Sequence, residues 1–312
     1  MRVVMINDCA YIGETLLKSF PDWLKRIHVK RARSFGGKTF GLIWKTLRTK
    51  GDLYHVHYLL QDCYLASLLG KHPLVGHGHG SDLRETIQHP VWGHIVRYNL
   101  RNCDKILVST PDLLGTAKKF AQHVEYLPNV VDHEFFFPRE FNPQKKRLKL
   151  LIGSGADWRK GTDLALHALA MLKDVIEVSL IGFGPDLEKV LRLARSLDLE
   201  VKVLPKVLHQ NMNNYYWNAD LVLDQFKCGS LGVTALEAIS CGRPVITYAS
   251  SKYNEYRNFP LRDINSVEKI IRAIEDTDLA ELWKREYSYL KENHELNAIA
   301  TRTLRIYEEF LG

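Results

Sequence analysis

Short apolar runs recur along the chain, with amphipathic segments between them. Runs that are apolar in succession are typical of strands buried on both faces of a parallel sheet. Segments such as Asp163–Leu172 and Leu187–Leu197 repeat apolar residues at helical spacing. The predicted strands are 3–6, 53–56, 74–76, 106–109 and 124–127 in the first half, and 148–152, 178–181, 201–204, 221–223 and 244–247 in the second. This alternation predicts two successive α/β units, each a doubly wound parallel sheet covered by helices.

A polar stretch flanked by two prolines, Pro138-Arg-Glu-Phe-Asn-Pro143-Gln-Lys-Lys-Arg147, is the most linker-like segment of the sequence. We therefore predict one domain at 1–143 and a second at 144–295. Doubly wound domains bind ligands at the carboxyl ends of their strands. Two such domains of similar size predict a functional site in the cleft between them.

The composition narrows the class of protein. With 312 residues, 46% apolar and 25% charged, the chain is neither disordered, collagen-like nor a small disulfide-stapled protein. Its five cysteines are odd in number and form no Cys-x-x-Cys pair, which disfavours a disulfide framework or a zinc knuckle. No apolar signal-peptide core and no membrane-spanning run occurs. We expect a cytoplasmic protein, with peripheral contact to the inner face of the cell membrane left open.

The positive charge is concentrated in one segment. Residues 18–50 hold ten Lys or Arg and one acid, a charge of +9 that leaves −2 for the rest of a chain with net charge +7. Aromatic and aliphatic residues are interleaved with these cations, which is typical of surfaces that meet anionic lipid headgroups. A solvated basic face over ordinary core residues is the alternative. Nucleic-acid binding is disfavoured, because no helix-turn-helix, zinc finger or aromatic sheet motif accompanies the charge.

Six short motifs occur in an order that carries a resemblance, although none is specific alone. Together they resemble the retaining, nucleotide-sugar-dependent glycosyltransferases of the GT-B fold, the glycosyltransferase group 1 family (the family numbered four). The motifs are Asp52-Leu-Tyr-His-Val-His57, His79-Gly-Ser-Asp82, Leu127-Pro-Asn-Val-Val-Asp132, Lys160-Gly-Thr-Asp163, Ile181-Gly-Phe-Gly-Pro185 and Glu237-Ala-Ile-Ser-Cys-Gly-Arg-Pro-Val245.

The resemblance implies a fold and an activity. It implies two Rossmann-like domains facing across a cleft, with the nucleotide sugar held mainly by the C-terminal one. The final helix, within 296–312, is expected to pack back on the N-terminal domain. The implied activity is that of a retaining hexosyltransferase of the EC 2.4 class, which moves a sugar from a UDP- or GDP-sugar to a glycolipid, polysaccharide or glycan. No metal or other cofactor is required by this scheme.

A glycine-rich turn and the helix after it are candidates for binding the donor. Gly229-Ser-Leu-Gly232 precedes the predicted helix Val233–Ser240, so the N–H groups that begin at Val233 and Thr234 suit a pyrophosphate. Glu237 lies about one turn inside, where its carboxylate can accept two hydrogen bonds from a ribose diol. The matching glutamate of the family does this, and a solvated helix residue is the alternative.

Two adjacent cations are the catalytic candidates. Arg159 and Lys160 follow the first strand of the second domain, where they can stabilise the charge that develops on a leaving nucleoside diphosphate. The family's arginine falls a few positions earlier, so Arg159 is either a displaced equivalent or an exposed residue. Gly182 and Gly184 match a turn that approaches the nucleotide, and an ordinary tight turn is the alternative.

His79 is the candidate in the first domain. Imidazoles with an acid, as in Gly76-His-Gly-His-Gly-Ser-Asp82, suit zinc, but the spacing disfavours a metal site and we predict none. The resemblance implies that His79 contacts the transferred sugar, with Asp82 orienting it or capping a helix. We interpret His55 and His57 as core or cleft-wall residues. Gly13 is expected to end the first strand and to let the loop approach the sugar-phosphate, or to serve as a plain turn glycine.

One position departs from the family pattern. The first glutamate of the family's Glu-x7-Glu pair, which helps hold the donor sugar, is replaced by Gly229. An inactive relative, a differently held sugar and a branch in which the loop takes over are all consistent with this, and we favour the branch. Asp224 and Gln225 are then the expected sugar-hydroxyl binders. The only Asp-x-Asp, Asp276-Thr-Asp278, is interpreted as a solvated turn.

Three functions remain. An active retaining glycosyltransferase with front-side attack is favoured, and a non-catalytic binder of nucleotides or sugars with the same fold is the alternative suggested by Gly229. A phosphorylase- or epimerase-type enzyme has no supporting motif.

Overall fold

The computed structural model describes residues 1–30, 41–141 and 147–310 of the chain. The chain forms two compact units, an N-terminal unit of Met1–Val130 with His294–Gly312, and a C-terminal unit of Val131–Asn293. The division falls earlier than the boundary predicted at 143. Residues 131–141, just before the predicted boundary, belong to the C-terminal unit. Phe136 is fully buried there, and Arg243 donates hydrogen bonds to the carbonyls of Arg139 and Glu140.

A six-stranded parallel sheet in the order β2-β1-β3-β4-β5-β6 forms the centre of the N-terminal unit. Its strands are β1 (Arg2–Ile6), β2 (Lys25–Val29), β3 (Leu53–His57), β4 (Leu74–Gly78), β5 (Lys105–Val108) and β6 (Val124–Tyr126). Its helices are α1 (Ile12–Ser19), α2 (Leu42–Arg48), α3 (Gln61–Leu68), α4 (Ser81–Arg84), α5 (Trp92–Asn102), α6 (Leu114–Ala117) and, from the end of the chain, α13 (Leu296–Glu308).

A five-stranded parallel sheet in the order β11-β10-β7-β8-β9 forms the C-terminal unit. Its strands are β7 (Leu148–Ile152), β8 (Ile176–Ile181), β9 (Val201–Leu204), β10 (Leu221–Leu223) and β11 (Val245–Ile246). Its helices are α7 (Thr162–Ala170), α8 (Leu187–Ser196), α9 (Asn213–Trp217), α10 (Val233–Ser240), α11 (Val267–Glu275) and α12 (Leu279–Asn293).

The strands of the C-terminal unit are buried on both faces. In β7, Leu150 and Ile152 join the core on one side of the sheet, whereas Leu151 joins the core on the other. In β10, Leu221 and Leu223 face one core and Val222 faces the other. Because side chains alternate along a strand, such apolar runs require helices on both faces. The predicted fold class, two Rossmann-like α/β units, is confirmed.

One strand was missed by the sequence analysis. Lys25–Val29 pairs in parallel with β1, yet Lys25 and Arg26 at its start are exposed, because β2 lies at the edge of the sheet. Edge strands tolerate charges that interior strands exclude. The pattern Lys-Arg-Ile-His-Val therefore has the character of a basic surface rather than of a buried strand.

The strand orders locate the switch point of each sheet. In each sheet the direction of winding reverses once, between β1 and β3 in the N-terminal unit and between β7 and β10 in the C-terminal unit. Open α/β sheets bind ligands outside the carboxyl ends of the strands at this switch point. We therefore expect a ligand site at the segments that follow β1, β3, β7 and β10.

Helix α13 completes the N-terminal unit. Its Arg302 donates hydrogen bonds to the carboxylate of Glu125 and to the carbonyl of Tyr126, and Tyr307 packs edge-on against Phe20. The carboxylate of Glu295 accepts the N–H groups of Asn297 and Ala298 and caps the first turn. Of the helices in the described ranges, none has both the length and the apolar character needed to cross a membrane.

Candidate functional site

Three segments of the C-terminal unit meet at its switch point. The loop after β7 contacts the segment after β10, because Ser154 Oγ donates to the carbonyl of Asp224 at 3.0 Å and the N–H of Phe226 donates to the carbonyl of Lys160 at 2.6 Å. Helix α10 begins beside these two segments. A Cβ at Gly153 would lie 2.6 Å from Thr234 Cγ2, so Thr234 packs against the backbone of Gly153. The structure thus brings together Lys160, Asp224 and the start of α10.

Asp224 lies against the first turn of α10. Its side chain is 2% exposed and faces the N–H groups of Gly232 and Ala235. A Cβ at Gly232 would lie 2.5 Å from Asp224 Oδ2, so this approach requires glycine. Burial raises the pKa of Asp224 to about 6, against the opposing effects of Lys160 and the Gly232 N–H. The helix end predicted to receive pyrophosphate is therefore faced by a carboxylate in this structure.

Gln225 and Gly229 shape the loop before α10. The side-chain amide of Gln225 donates to the carbonyl of Ser230 at 2.5 Å, and the backbone carbonyl of Gln225 accepts from the Thr247 hydroxyl. Gln225 is predicted to bind sugar hydroxyls, but here its amide nitrogen holds the loop. Gly229 has φ of +70°, a left-handed conformation that a glutamate adopts only with strain. The missing glutamate of the Glu-x7-Glu pair thus coincides with a backbone shape that favours glycine.

Glu237 is buried rather than solvated. It lies in α10 with 4% of its surface exposed. Its Oε2 accepts a hydrogen bond from the Tyr216 hydroxyl at 2.8 Å, and its Oε1 lies 2.5 Å from Nε2 of His209. Burial and the neighbouring carboxylate raise the pKa of Tyr216, which keeps its hydroxyl a donor. Sequence reasoning missed both partners, since they lie on other elements, far from Glu237 along the chain.

The two candidate cations have different surroundings. The Arg159 side chain is 55% exposed and forms hydrogen bonds to both carboxylate oxygens of Asp157, at 2.9 and 2.7 Å. Burial raises the pKa of Asp157, but Arg159 outweighs this and holds it below its usual value. Lys160 Nζ lies 3.4 Å from the carbonyl of Ser154, and its charge acts on Asp224. Lys160 is therefore the cation directed toward the buried carboxylates.

The predicted glycine turn packs against the loop after β7. Gly184 has φ of +127°, and a Cβ there would lie 2.2 Å from the carbonyl oxygen of Ala156. The carbonyl of Phe183 accepts the N–H of Ala156 at 2.8 Å. Gly182 continues the sheet, donating to the carbonyl of Leu204. These contacts give both glycines a packing role at the edge of the site.

Four histidines line one face at the carboxyl ends of β3 and β4. His55 Nε2 lies 3.2 Å from His77 Nδ1, and His57 Nδ1 lies 2.8 Å from His79 Nε2. The rings of His55 and His57 stack with an angle of 11° between their planes, and those of His77 and His79 stack at 4.2 Å between centroids. Tyr307 of α13 reaches His55 Nδ1 at 2.5 Å and closes the first pair. We name these four residues the histidine cluster.

The histidine cluster is held neutral. Burial lowers the pKa of His55, His57 and His77 well below the usual value, and that of His79 to about 3. Among the described residues, His57 Nε2, His77 Nε2 and His79 Nδ1 have no hydrogen-bond partner. One ring nitrogen each of His55, His57 and His77 lies within 4.8 Å of the others, and neutral imidazole suits zinc. One nitrogen of each ring in the histidine cluster faces a nitrogen of a neighbouring ring.

Asp82 and Gly13 differ from their expected surroundings. The Asp82 carboxylate accepts N–H groups from His79, Gly80, Leu83 and Leu59, so it holds the backbone of the loop rather than the imidazole ring. Gly13 lies in the first turn of α1 and does not end β1. A Cβ at Gly13 would lie 2.8 Å from His57 Nε2, so glycine lets α1 approach the histidine cluster.

Strained backbone marks the switch point of the N-terminal unit. Asn7, Ala10 and Tyr11 after β1, and Tyr58 after β3, all have φ between 47° and 68°. Left-handed conformations of residues other than glycine are uncommon and concentrate at functional sites. The sequence gives little signal for this strain, because Asn7 alone among these four residues is of a type that adopts the left-handed conformation readily.

Residues 132–258 match the sequence model of a family described as "Glycosyl transferases group 1". The matched segment covers the β7 to β11 sheet with Lys160, Asp224 and Glu237, and it spans less than half of the chain.

Two curated relatives show the extent of the similarity. The chain is 26% identical over 213 residues to N-acetyl-alpha-D-glucosaminyl L-malate synthase of Bacillus anthracis, covering 62% of this chain and 56% of the relative. It is 31% identical over 139 residues to lipopolysaccharide glucosyltransferase WaaG of Escherichia coli strain K12, covering 43% of this chain and 36% of the relative. The matches thus span about half the length of these relatives or less.

A solved structure matches nearly the whole chain. Anabaena Alr3699/HepE, in complex with UDP, has a TM-score of 0.71 and 14% identity, and the match covers 99% of this chain and 100% of that one. The same protein in complex with UDP-glucose gives the same figures. At this identity the likeness establishes the fold alone. The chain therefore has the fold of HepE, and its residues 132–258 match the group 1 glycosyl transferases.

Proposed function

We propose that the protein is a retaining glycosyltransferase that takes its sugar from a UDP-sugar bound by the C-terminal unit. The observation that carries this proposal is the convergence of Lys160, Asp224 and Glu237 at the switch point of the β7 to β11 sheet. These residues lie inside the segment that matches the glycosyl transferase family. The UDP and UDP-glucose complexes of HepE favour UDP over GDP as the nucleotide.

The residues have separate roles in this proposal. Glu237 accepts the ribose hydroxyls, and the glycine turn at Gly182 and Gly184 shapes the nucleotide pocket. Lys160, with Arg159 beside it, stabilises the charge that develops on the β-phosphate as the glycosidic bond breaks. Asp224 is proposed to accept a hydrogen bond from a sugar hydroxyl, which is supported by the absence of a hydrogen-bond partner for its buried Oδ2 among the described residues.

Retention is proposed to follow front-side attack. The acceptor hydroxyl forms the new bond to the anomeric carbon on the face that the UDP oxygen leaves. The departing β-phosphate oxygen takes the acceptor proton, and UDP is released. Cationic side chains supply the charge stabilisation in this scheme, and no metal is invoked. His79 of the N-terminal unit is proposed to contact the transferred sugar. An inverted product anomer, detected by NMR, would exclude this mechanism.

The acceptor is proposed to be lipid-linked. Within 18–50, the described part exposes Trp23 at 60%, Trp44 at 55% and Leu47 at 50% of their surfaces, and Arg48 lies over the Trp44 ring at 3.7 Å. Exposed tryptophans beside cations suit an anionic lipid surface. The similarity to WaaG, whose name is lipopolysaccharide glucosyltransferase, supports a lipid-linked acceptor.

The donor proposal is tested with UDP binding and a screen of radiolabelled UDP-sugars against lipid and sugar acceptors. Lys160→Ala should lower the transfer rate by roughly 100-fold or more, since one lost electrostatic contact to a transition state costs about that much. Glu237→Ala should weaken UDP binding, and Lys284→Ala, on the exposed surface of α12, serves as the control for both. Binding of UDP-sugar without transfer or hydrolysis would favour the non-catalytic binder instead.

The membrane proposal has its own test. Reversing the charges of Lys30, Arg31 and Arg33 should weaken binding to vesicles of anionic lipid; Arg31 and Arg33 lie outside the described residues. A Trp23→Ser, Trp44→Ser double variant tests the aromatic contribution separately. Unchanged sedimentation with anionic vesicles in both variants would remove the lipid surface from the proposal while leaving the donor site intact.

A further inference from the structure

Both carboxylate oxygens of Glu237 are engaged within the C-terminal unit, by partners of different kinds. Tyr216 is 1% exposed and sits in α9, so its hydroxyl is part of the packed core. The His209 side chain is 21% exposed and belongs to a short 3₁₀ helix, His209–Asn211, which follows the 60% exposed Leu208. The first partner is fixed in the interior, whereas the second lies at the surface end of the site.

We infer that His209 occupies the Glu237 oxygen that a nucleotide ribose takes on binding, and that protonation of His209 therefore opposes nucleotide binding. This inference rests on the proposed donor site.

The competition follows from access to the buried carboxylate. Glu237 is 4% exposed, and the Tyr216 hydroxyl bonded to Oε2 belongs to the packed core. His209 Nε2 lies 2.5 Å from Oε1 on the more exposed side, so a ribose that reaches Oε1 from the surface displaces His209. His209 can leave without opening the core, because its side chain is partly exposed and belongs to a short 3₁₀ helix. Its departure gives up the contact with the Phe136 ring, at 5.1 Å between centroids.

Protonation makes this departure more costly. Neutral His209 donates an ordinary hydrogen bond to Oε1, whereas the imidazolium forms a charge-assisted bond to a carboxylate that is 4% exposed. Charge-assisted bonds are about twice as strong as neutral ones. The ordinary titration of a histidine falls between about pH 5 and 8, and this is the range over which the proposed competition is measured. Low pH thus favours the form in which His209 is bonded to Glu237, and high pH favours the form with nucleotide bound.

The other titratable groups around Glu237 do not produce this effect. Tyr216 and Cys241 face it, and burial raises the pKa of both, so they stay neutral across this range. Asp224 also acts on this region, and its pKa of about 6 falls inside the range. Protonation of Asp224, beside Lys160, removes negative charge from the proposed diphosphate site, so it strengthens UDP binding in acid. Its effect has the opposite sign to that of His209.

The inference is tested by measuring UDP affinity by calorimetry between pH 5.5 and 8.0. His209→Gln keeps an amide N–H donor but removes the titration. His167→Gln, exposed on α7, removes the same side chain elsewhere in the unit and is the matched control. Protonation of UDP and of Asp224 is common to all three proteins, so the differences between them isolate His209.

We expect the wild type and the His167→Gln variant to lose at least fivefold more UDP affinity than His209→Gln when the pH falls from 8.0 to 5.5. Parallel pH profiles for all three proteins would overturn the inference. Absence of UDP binding by the wild type at every pH would overturn the donor proposal itself, and the two failures are therefore distinguishable.

A measurement on the wild-type protein covers the case in which the variant does not fold. The ring nitrogens of ¹⁵N-labelled His209 should shift when UDP is added at pH 7, because the bond to Glu237 is released. His209 signals that stay unchanged at saturating UDP would contradict the inference without any substitution.

Discussion

Both units are doubly wound parallel sheets, but the carboxyl ends of the strands carry imidazoles in one unit and carboxylates in the other. In the N-terminal unit the histidine cluster presents four imidazoles, and burial favours their neutral form. In the C-terminal unit burial acts on carboxylates, raising the pKa of Asp224 to about 6 while Lys160 opposes the shift. The same penalty on buried charge thus lowers one set of pKa values and raises the other. One type of fold can therefore respond to acid in two opposite directions.

The largest expected effect is the unfolding of the N-terminal unit at low pH. The pKa values of the histidine cluster, and of His294 at about 4, lie below the unfolded value near 6.5. The unfolded chain therefore binds protons that the folded unit does not bind, and stability present above pH 6.5 is lost as the pH falls through it. Each histidine contributes a loss of roughly 1 kcal/mol per pH unit below 6.5.

Hydrogen exchange resolved by peptide checks this expectation. Between pH 7 and pH 5, at exchange times corrected for the intrinsic rate, peptides of β3 and β4 should lose protection before those of β7 and β10. Equal loss in both units, or earlier loss in the C-terminal unit, would contradict the assignment of neutral histidines.

A smaller effect of opposite sign is expected at Asp224. Its folded pKa of about 6 lies above the unfolded value, so its stabilising contribution is present in acid and is lost as the pH rises through 6. Asp224→Asn should therefore raise the stability of the C-terminal unit at pH 8 by roughly 1–3 kcal/mol, with the gain shrinking toward pH 5. Urea unfolding at both pH values measures this, with the exposed Asp174→Asn as the control. A gain independent of pH would show that the carboxylate is not neutralised by burial.

The smallest effect is expected at the junction of α13 and the histidine cluster. Tyr307→Phe removes the hydroxyl that meets His55 Nδ1 and leaves a buried ring nitrogen without that partner. We expect the stability of the N-terminal unit to fall by about 1–2 kcal/mol, measured by urea unfolding at pH 8. Tyr287→Phe, on a half-buried tyrosine of α12, should change little. An equal response from both variants would argue against a specific contact with His55.

Most of the fold follows from the sequence because interior parallel strands are apolar in succession. All ten predicted strands, such as 148–152 and 201–204, correspond to strands of the structure. Lys25–Val29 was missed because an edge strand can carry exposed cations. The boundary was predicted at 143, inside a polar stretch, whereas Arg243 binds the carbonyls of Arg139 and Glu140 and attaches these two residues to the C-terminal unit.

The candidate site is only partly predictable, since motifs are local whereas contacts are not. Lys160, Asp224 and Glu237 stand out by their position after strands or inside the helix that follows a glycine turn. His209 and Tyr216 do not, because only folding brings them to Glu237. The expected role of Gly13 at a strand end was wrong because the helix begins one residue before it. The proposed roles in donor binding stay predictions.

The N-terminal unit is built from two segments that are far apart in the chain, Met1–Val130 and the stretch that begins at His294. Synthesis proceeds from the first residue, so the C-terminal unit has all of its residues before the N-terminal unit has its last helix. On the ribosome, the unit made first is therefore the one completed last. Until α13 emerges, His55 lacks Tyr307 and Glu125 lacks Arg302, so two polar contacts of the N-terminal unit form only after the whole C-terminal unit has been made.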